Sequence, residues 1–145
     1  MREILFRGKW IDNGEWVYGG YAHIYSNPNT DIIITGRLCV YEDRDEPTIE
    51  ARNIDPSTIG QYTGLTDKNG EKIFEGDICK FREWDNGKMC WIGYVHFEHC
   101  QFIISGGANE ECPSNFHLVL SRFSPENIEV IGNIHDNPEL LEVEK

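Results

Sequence analysis

Four residues of zinc-binding type lie close together in the chain, namely Cys90, His96, His99 and Cys100. Thiolates and imidazoles are the ligands that structural zinc sites use most often. Along an extended strand, however, His96 and Cys100 project to one face and His99 projects to the other. The segment also lacks the paired C-x-x-C spacing of common zinc sites. We therefore predict no metal site, with the cysteines packed in a sheet and the histidines at its rim.

A second arrangement concerns nucleophilic catalysis, because Cys112 lies in a predicted loop and His117 follows it. A cysteine nucleophile needs a histidine in contact with it and a third group that orients the histidine. No residue pattern here fixes such a third group. Cys79, Cys90 and Cys100 fall in predicted strands, where we expect them to pack as small hydrophobic side chains. These patterns indicate no catalytic cysteine.

One hypothesis is a catalytic acid–base pair of carboxylates, in which Asp77 is the acid and Asp67, Glu75 or Asp136 is its partner. Aspartates in tight turns have a simpler role, since their side chains accept backbone N–H bonds and hold the turn. The sequence also lacks the motifs of P-loops, nucleophile elbows, zinc peptidases, EF-hands and dinucleotide-binding sites. We predict no catalytic residue and no cofactor, and we expect that the protein is not an enzyme.

Aromatic side chains are more numerous than one face of a small sheet needs, with 12% Phe, Trp and Tyr. Such residues either fill the core or line a shallow groove that binds a peptide or a base, and the sequence leaves both interpretations open. If they line a groove, the candidate binding residues are Tyr62, Trp84, Trp91 and Tyr94. The acidic balance of the chain then favours a basic or proline-rich protein segment as the ligand.

The elements that must position these residues are organised around residues 59–81. Two short apolar segments flank Asp67-Lys68-Asn69-Gly70, and Asn-Gly between such segments predicts a hairpin. Gly76-Asp77 predicts a second tight turn, after which a new strand begins. Asn-Gly recurs at Asn13-Gly14 and Asn86-Gly87, so the chain is predicted to be all-β or nearly so.

The same signals predict how the chain divides. We expect an N-terminal β-region over residues 1–58, packed on a second region over residues 59–145. Gly19-Gly20 is expected to break the strand that contains Trp16, and residues 38–41 to form a hairpin with residues 31–35 across Gly36. Residues 53–58 are expected to be turns. Ser124 is expected to cap a helical turn, and residues 137–141 to begin a short terminal helix.

The central segments also resemble the signature of the YopX family, a group of small phage and prophage proteins. The resemblance rests on residues 62–65, 67–70 and 75–78, and it continues at residues 6–9, 16–19 and 130–141. It implies a mostly β protein whose later part is similar to an SH3-type barrel, and it implies no established activity. The motif residues that we expect to have a structural role are Gly64, Asp67, Asn69, Gly70, Gly76, Asp77, Gly132 and Asn133.

The charge of the chain bears on its partners, because 25 acidic against 13 basic residues give a formal charge of −12. Residues 1–58 carry −4 and residues 59–145 carry −8. Direct binding to nucleic acid or to an anionic membrane is therefore disfavoured. The five cysteines, with no apparent secretion signal or membrane span, predict reduced thiols and a cytoplasmic location in a bacterial host.

From these observations we expect a non-enzymatic accessory protein of a phage or prophage that acts through protein contacts, with a host or phage protein as its partner. Self-association is a further expectation, since strand edges and aromatic surface favour it. Three alternatives stay open. They are an acidic mimic of DNA, a nucleic-acid binder that uses a basic strip of Lys80, Arg82 and Lys88, and an enzyme whose site is assembled from distant residues.

Overall fold

The structure, a computed structural model, describes residues 1–39, 43, 48–82, 87–88, 91–107 and 115–142. Within these ranges the chain forms strands and short 3-10 turns, so the prediction of a mainly β protein is confirmed. The strands are β1 (Phe6–Trp10), β2 (Trp16–Ile24), β3 (Thr30–Cys39), β4 (Thr48–Thr66), β5 (Lys72–Phe74), β6 (Asp77–Phe81), β7 (Trp91–Glu98), β8 (Gln101–Gly106), β9 (Phe116–Val119) and β10 (Ile128–Asn133). The 3-10 turns are Leu120–Arg122, Pro125–Asn127 and Pro138–Leu141.

The chain forms two compact units, Met1–Tyr62 and Thr63–Lys145. The boundary between them falls inside β4, whereas the sequence analysis divides the chain before Ile59. Most of the charged residues 42–47, for which the sequence predicts an exposed loop, lie outside the described residues, as do Trp84, Asn86, Cys90 and Cys112.

In the first unit, β1 to β4 pair as a ring. β1 pairs with the first half of β2 and with the second half of β4. β3 pairs with the second half of β2 and with the first half of β4. Both β2 and β4 therefore exchange one neighbour for another part-way along their length, which is how strands turn a corner in a closed sheet. Ile33 and Ile54 are the most buried apolar side chains of this unit.

The predicted break at Gly19-Gly20 is wrong, because β2 continues through both glycines at the point where its partner changes from β1 to β3. A Cβ atom on Gly19 would lie only 1.9 Å from the carbonyl oxygen of Ile34. Glycine is thus required here for the close approach of β3, and it does not end the strand.

The predicted hairpin across Gly36 is also wrong, since β3 runs from Thr30 to Cys39 and pairs with β2 and β4. Gly36 has φ +78° and lies where the register between β3 and β4 shifts, so it forms a bulge. A glycine readily adopts this left-handed conformation, which explains why the sequence signal resembles a turn.

The turns predicted over residues 53–58 are a bulge inside the 19-residue strand β4. Asp55 Oδ1 accepts the N–H of Ser57 at 3.0 Å, and the hydroxyl of Thr58 donates to the Asp55 carbonyl at 2.7 Å. The N–H of Lys9 in β1 donates to the same hydroxyl at 2.8 Å. The local polar bonds expected of a turn are therefore present, but pairing with β1 resumes beyond them.

In the second unit, a five-stranded antiparallel sheet has the order β10-β6-β7-β8-β9. One face covers a core of buried apolar side chains, with Phe81 in ring contact with Phe116 and Phe123. The core residues are Ile73, Cys79, Phe81, Val95, Ile104, Leu120, Phe123 and Ile128. That this unit is an SH3-type barrel stays a prediction.

The hairpin predicted at residues 67–70 is present between β4 and β5, and the buried carboxylate of Asp67 organises it. Oδ1 of Asp67 accepts the N–H groups of Asn69 and Glu71 at 2.8 and 2.9 Å. Oδ2 accepts the N–H of Val130 in β10 at 2.9 Å. One side chain thus holds the turn and joins it to the last strand of the sheet.

The predicted helical segments near the C-terminus are single 3-10 turns over Pro125–Asn127 and Pro138–Leu141. The expected side-chain cap by Ser124 is wrong, because its hydroxyl makes no capping bond to the backbone. Instead the side-chain amide of Asn127 donates to it at 3.0 Å.

Replacing Asp67 by alanine is expected to lower the free energy of unfolding by about 3 kcal/mol, because three backbone N–H groups lose their charged acceptor. Denaturant unfolding measures the change. Asp12→Ala is the matched control, since Asp12 lies in the exposed turn after β1, and its effect should stay within about 0.5 kcal/mol. Equal effects of the two substitutions would contradict the structural role of Asp67.

Candidate functional site

In the first unit, side chains of β2 and β3 gather on one face around Asp31. The strand register places Tyr21 and His23 beside it, with His23 directly opposite Asp31. Oδ1 of Asp31 accepts the hydroxyl of Tyr21 at 2.6 Å and Nδ1 of His23 at 2.8 Å. Since an ionised carboxylate can only accept, Nδ1 of His23 carries a proton. The ring of Tyr25 meets that of His23 edge-on at 4.6 Å.

We call Tyr21, His23, Tyr25 and Asp31 the β2–β3 surface. Its most accessible member is Tyr25, whose exposed fraction is 87%, while the side chain of Asp31 is only 13% exposed. The ring of Phe6 packs against Tyr21 at 5.6 Å and closes one end of the surface. An accessible aromatic ring thus lies next to a carboxylate whose orientation its neighbours hold.

The pKa values of Tyr21 and Asp31 follow from the hydrogen bonds of the Asp31 carboxylate. The hydroxyl of Tyr21, together with His23, stabilises the carboxylate and lowers the pKa of Asp31 below its ordinary value. The same hydrogen bond to Asp31 raises the pKa of Tyr21, because the phenolate would lose it and face a negative charge.

A separate open depression of about 430 Å³ lies elsewhere in the first unit. It contains one amine and one carboxylate, and neither cysteine nor histidine lines it. Its lining residues are Lys9, Trp10, Ile11, Gly14, Asp55 and Pro56.

The predicted binding residues are not brought together as one set. Tyr62 is buried in the first unit, where its N–H donates to the carbonyl of Leu5. Trp91 packs against the core of the second unit, with its ring 5.4 Å from that of Phe116. Tyr94 lies on the opposite face of the sheet from this core, and Trp84 lies outside the described residues.

Tyr94 belongs to a polar face of the second sheet that the sequence analysis did not identify. Its ring stacks on His96 at 5.1 Å, and the ring of His96 lies 5.5 Å from that of His117 in β9. The hydroxyl of Ser105 in β8 lies between the two imidazoles, 2.8 Å from Nε2 of His96 and 2.7 Å from Nδ1 of His117. Glu98 in β7 is the fifth member of this group.

Glu98 lies next to the other nitrogen of each imidazole. Its Oε2 is 3.3 Å from Nε2 of His117 and 4.0 Å from Nδ1 of His96. Among the described residues, these three side chains offer potential metal-ligand atoms that all lie within 4.8 Å of one another. We call His96, Glu98 and His117, with Ser105 behind them, the histidine face.

The cluster considered in the sequence analysis has a different geometry. His99 and Cys100 form the two-residue turn between β7 and β8, with φ of +49° and +62°. The expectation that Cys100 packs within a strand is wrong, because this turn exposes it. Cys79 is fully buried, as expected.

Of the motif residues, Gly64 lies inside β4 with φ +87°, and the other aspartates and glycines lie at tight turns and close contacts of the second unit. Oδ2 of Asp77 accepts the N–H of Phe74 at 2.8 Å, across the turn at Gly76. A Cβ atom on Gly132 would lie 2.6 Å from Oδ1 of Asn137. Oδ1 of Asn133 accepts the N–H groups of His135 and Asp136 after the end of β10.

Comparison with known families identifies the chain. The model of the family described as YopX protein matches residues 5–142. The chain belongs to the YopX family.

A solved structure is similar over the whole length. The crystal structure of protein EF1440 from Enterococcus faecalis has 26% sequence identity, and the match covers 98% of this chain and all of that one, with a TM-score of 0.57. No curated protein matches the chain. In the part of the chain that the structure describes, no helix is long and apolar enough to cross a membrane.

The hydroxyl of Tyr21 is expected to titrate at higher pH than an ordinary tyrosine, and Asp31→Asn should return its pKa towards about 10. NMR of protein labelled with ¹³C at the tyrosine rings resolves the individual residues. Tyr18→Phe identifies one neighbouring signal and should leave the titration of Tyr21 unchanged. A Tyr21 titration that does not respond to Asp31→Asn would contradict the hydrogen bond.

The contribution of Asp31 to stability is expected to depend on pH in the acid range. Because its pKa is lower in the folded state, the contribution is complete above the unfolded-state value of about 3.9 and is lost as pH falls through the folded-state value. The difference in unfolding free energy between wild type and Asp31→Asn should therefore shrink in acid. A difference that stays constant from neutral pH to below both values would oppose this.

Proposed function

We propose that this YopX-family protein is a non-enzymatic accessory protein of a phage or prophage that binds a basic segment of a partner protein. The phage setting is supported by the resemblance of its motifs to those of the family. The observation that carries the binding role is the β2–β3 surface, where an accessible tyrosine ring lies beside an oriented carboxylate.

The chemistry of this surface suits an arginine or lysine side chain. A cation over the face of Tyr25 gains a cation–π interaction, which is worth about 0.5–1 kcal/mol at an exposed site. The same cation can pair with Asp31, since the hydrogen bonds from Tyr21 and His23 both go to Oδ1 and Oδ2 accepts none from the described residues. Tyr21 and His23 hold the carboxylate in place, so that little ordering is needed on binding.

The charge of the chain supports the same choice of partner. A formal charge of −12 attracts a basic segment over a distance and speeds its encounter. It repels the phosphates of nucleic acid. In the alternative basic strip of Lys80, Arg82 and Lys88, Nε of Arg82 already donates to Asn127 Oδ1 at 2.8 Å and is not available to a phosphate.

Binding is tested with a labelled arginine- and lysine-containing peptide and a version in which glutamine replaces every basic residue, followed by fluorescence anisotropy. We expect binding of the basic peptide alone, weakened by salt. Tyr25→Ser should raise the Kd about five-fold and Asp31→Asn about ten-fold. Tyr18→Ser is the control, because Tyr18 is exposed on the other face of β2.

Two results would overturn the proposal. In the first, the basic and glutamine peptides bind equally, or neither binds. In the second, Tyr18→Ser weakens binding as much as Tyr25→Ser, which places the contact elsewhere. Displacement of DNA from a host enzyme without peptide binding would instead favour the acidic mimic, and a salt-sensitive shift of labelled DNA would favour nucleic-acid binding.

A further inference from the structure

We propose that the histidine face binds a divalent transition-metal ion such as Zn²⁺, with His96, Glu98 and His117 as ligands. Two imidazole nitrogens and one carboxylate oxygen form a donor set that zinc and related ions bind. This site is independent of the β2–β3 surface, which lies on other strands of the other unit.

The strand register brings the ligands together. Ser105 in β8 lies opposite Tyr94 in β7 and opposite His117 in β9. His96 and Glu98 follow Tyr94 at alternate positions of β7, so their side chains project to the same face. Strands β7 and β9 thus carry the three ligands, and β8 between them carries Ser105. Strands of one sheet are a more rigid support than a loop.

The serine hydroxyl determines which nitrogen of each ring is available. Ser105 Oγ lies at hydrogen-bond distance from Nε2 of His96 and Nδ1 of His117. An oxygen with two lone pairs can accept an N–H from both rings at once. With both N–H groups on Ser105, the remaining nitrogens, Nδ1 of His96 and Nε2 of His117, can coordinate an ion together with Glu98. Outer hydrogen bonds of this kind orient the histidines of known metal sites.

The three potential ligand atoms lie within 4.8 Å of one another, and the two distances to Glu98 are close to those of a zinc site. Two ligands of a tetrahedral zinc ion with bonds near 2.0–2.1 Å are separated by about 3.4 Å. The 3.3 Å between Glu98 Oε2 and His117 Nε2 already fits this value. His96 Nδ1, at 4.0 Å from the same oxygen, must approach by less than about 1 Å.

The site is open to an ion from solvent, because the side chains of His96, Glu98 and His117 are 26%, 43% and 54% exposed. Three protein ligands leave a coordination position for water or for a donor from another molecule. His99 is a natural comparison, since its Nδ1 lies 3.7 Å from the other oxygen of Glu98 while its ring points from the turn into solvent.

The test uses tag-free, reduced full-length protein and Zn²⁺ in isothermal titration calorimetry. We expect one ion per chain. His96→Ala and His117→Ala should each weaken binding at least about 100-fold, and Ser105→Ala about 10- to 100-fold, as for other outer hydrogen bonds. His99→Ala and Cys100→Ser are the matched controls and should keep the wild-type affinity. Unchanged circular dichroism confirms that each variant is folded.

A second measurement identifies the coordinating atoms. Long-range ¹H–¹⁵N NMR of the imidazoles should show Zn²⁺ bound at Nδ1 of His96 and at Nε2 of His117, the nitrogens that Ser105 leaves available. Coordination through the opposite nitrogens would overturn the proposed geometry. So would the absence of saturable binding, the loss of binding in Cys100→Ser, or an effect of His99→Ala equal to that of His117→Ala.

Discussion

The carboxylate of Asp67 is the interaction on which the second unit depends most. It is almost fully buried, and its two oxygens accept three backbone N–H groups from the turn and from β10. A buried charge is tolerated only when such bonds replace its hydration. The turn therefore cannot form in the same way without the last strand beside it. The turn that Asp67-Lys68-Asn69-Gly70 predicts thus depends on a hydrogen bond from Val130, more than sixty positions later in the chain.

Sequence reasoning succeeded where a local rule decides the backbone. Gly70, with φ +79°, turns the hairpin that Asn69-Gly70 predicts, and the terminal prolines begin the 3-10 turns at the expected positions. It failed where tertiary pairing overrides a local signal. Gly19, Gly36 and Pro56 all resemble strand breaks, yet each lies inside a strand, since each allows a close approach or a bulge that pairing on both sides requires.

The candidate sites show the same limit. His96, Ser105 and His117 lie on three strands, and their contact depends on a register that no short-range pattern specifies. The sequence instead directs attention to His99 and Cys100 because they are close to His96 along the chain. Both adopt positive φ without being glycine or asparagine, so the turn that separates them from the ligand set had no recognisable signal. Tyr21 and Asp31 were likewise separated by a loop, and only the β2–β3 pairing joins them.

The exchange of partners along β2 and β4 has a consequence for how the first unit opens. Each of these strands contributes one half to the pairing around β1 and the other half to the pairing around β3. Detaching either set removes the support of a strand that the other set needs. Opening only one of the two sets therefore leaves the other without support. The amide hydrogens of β1 and β3 should exchange with solvent in a single cooperative event. The ring behaves as one folding unit although its strands divide into two groups.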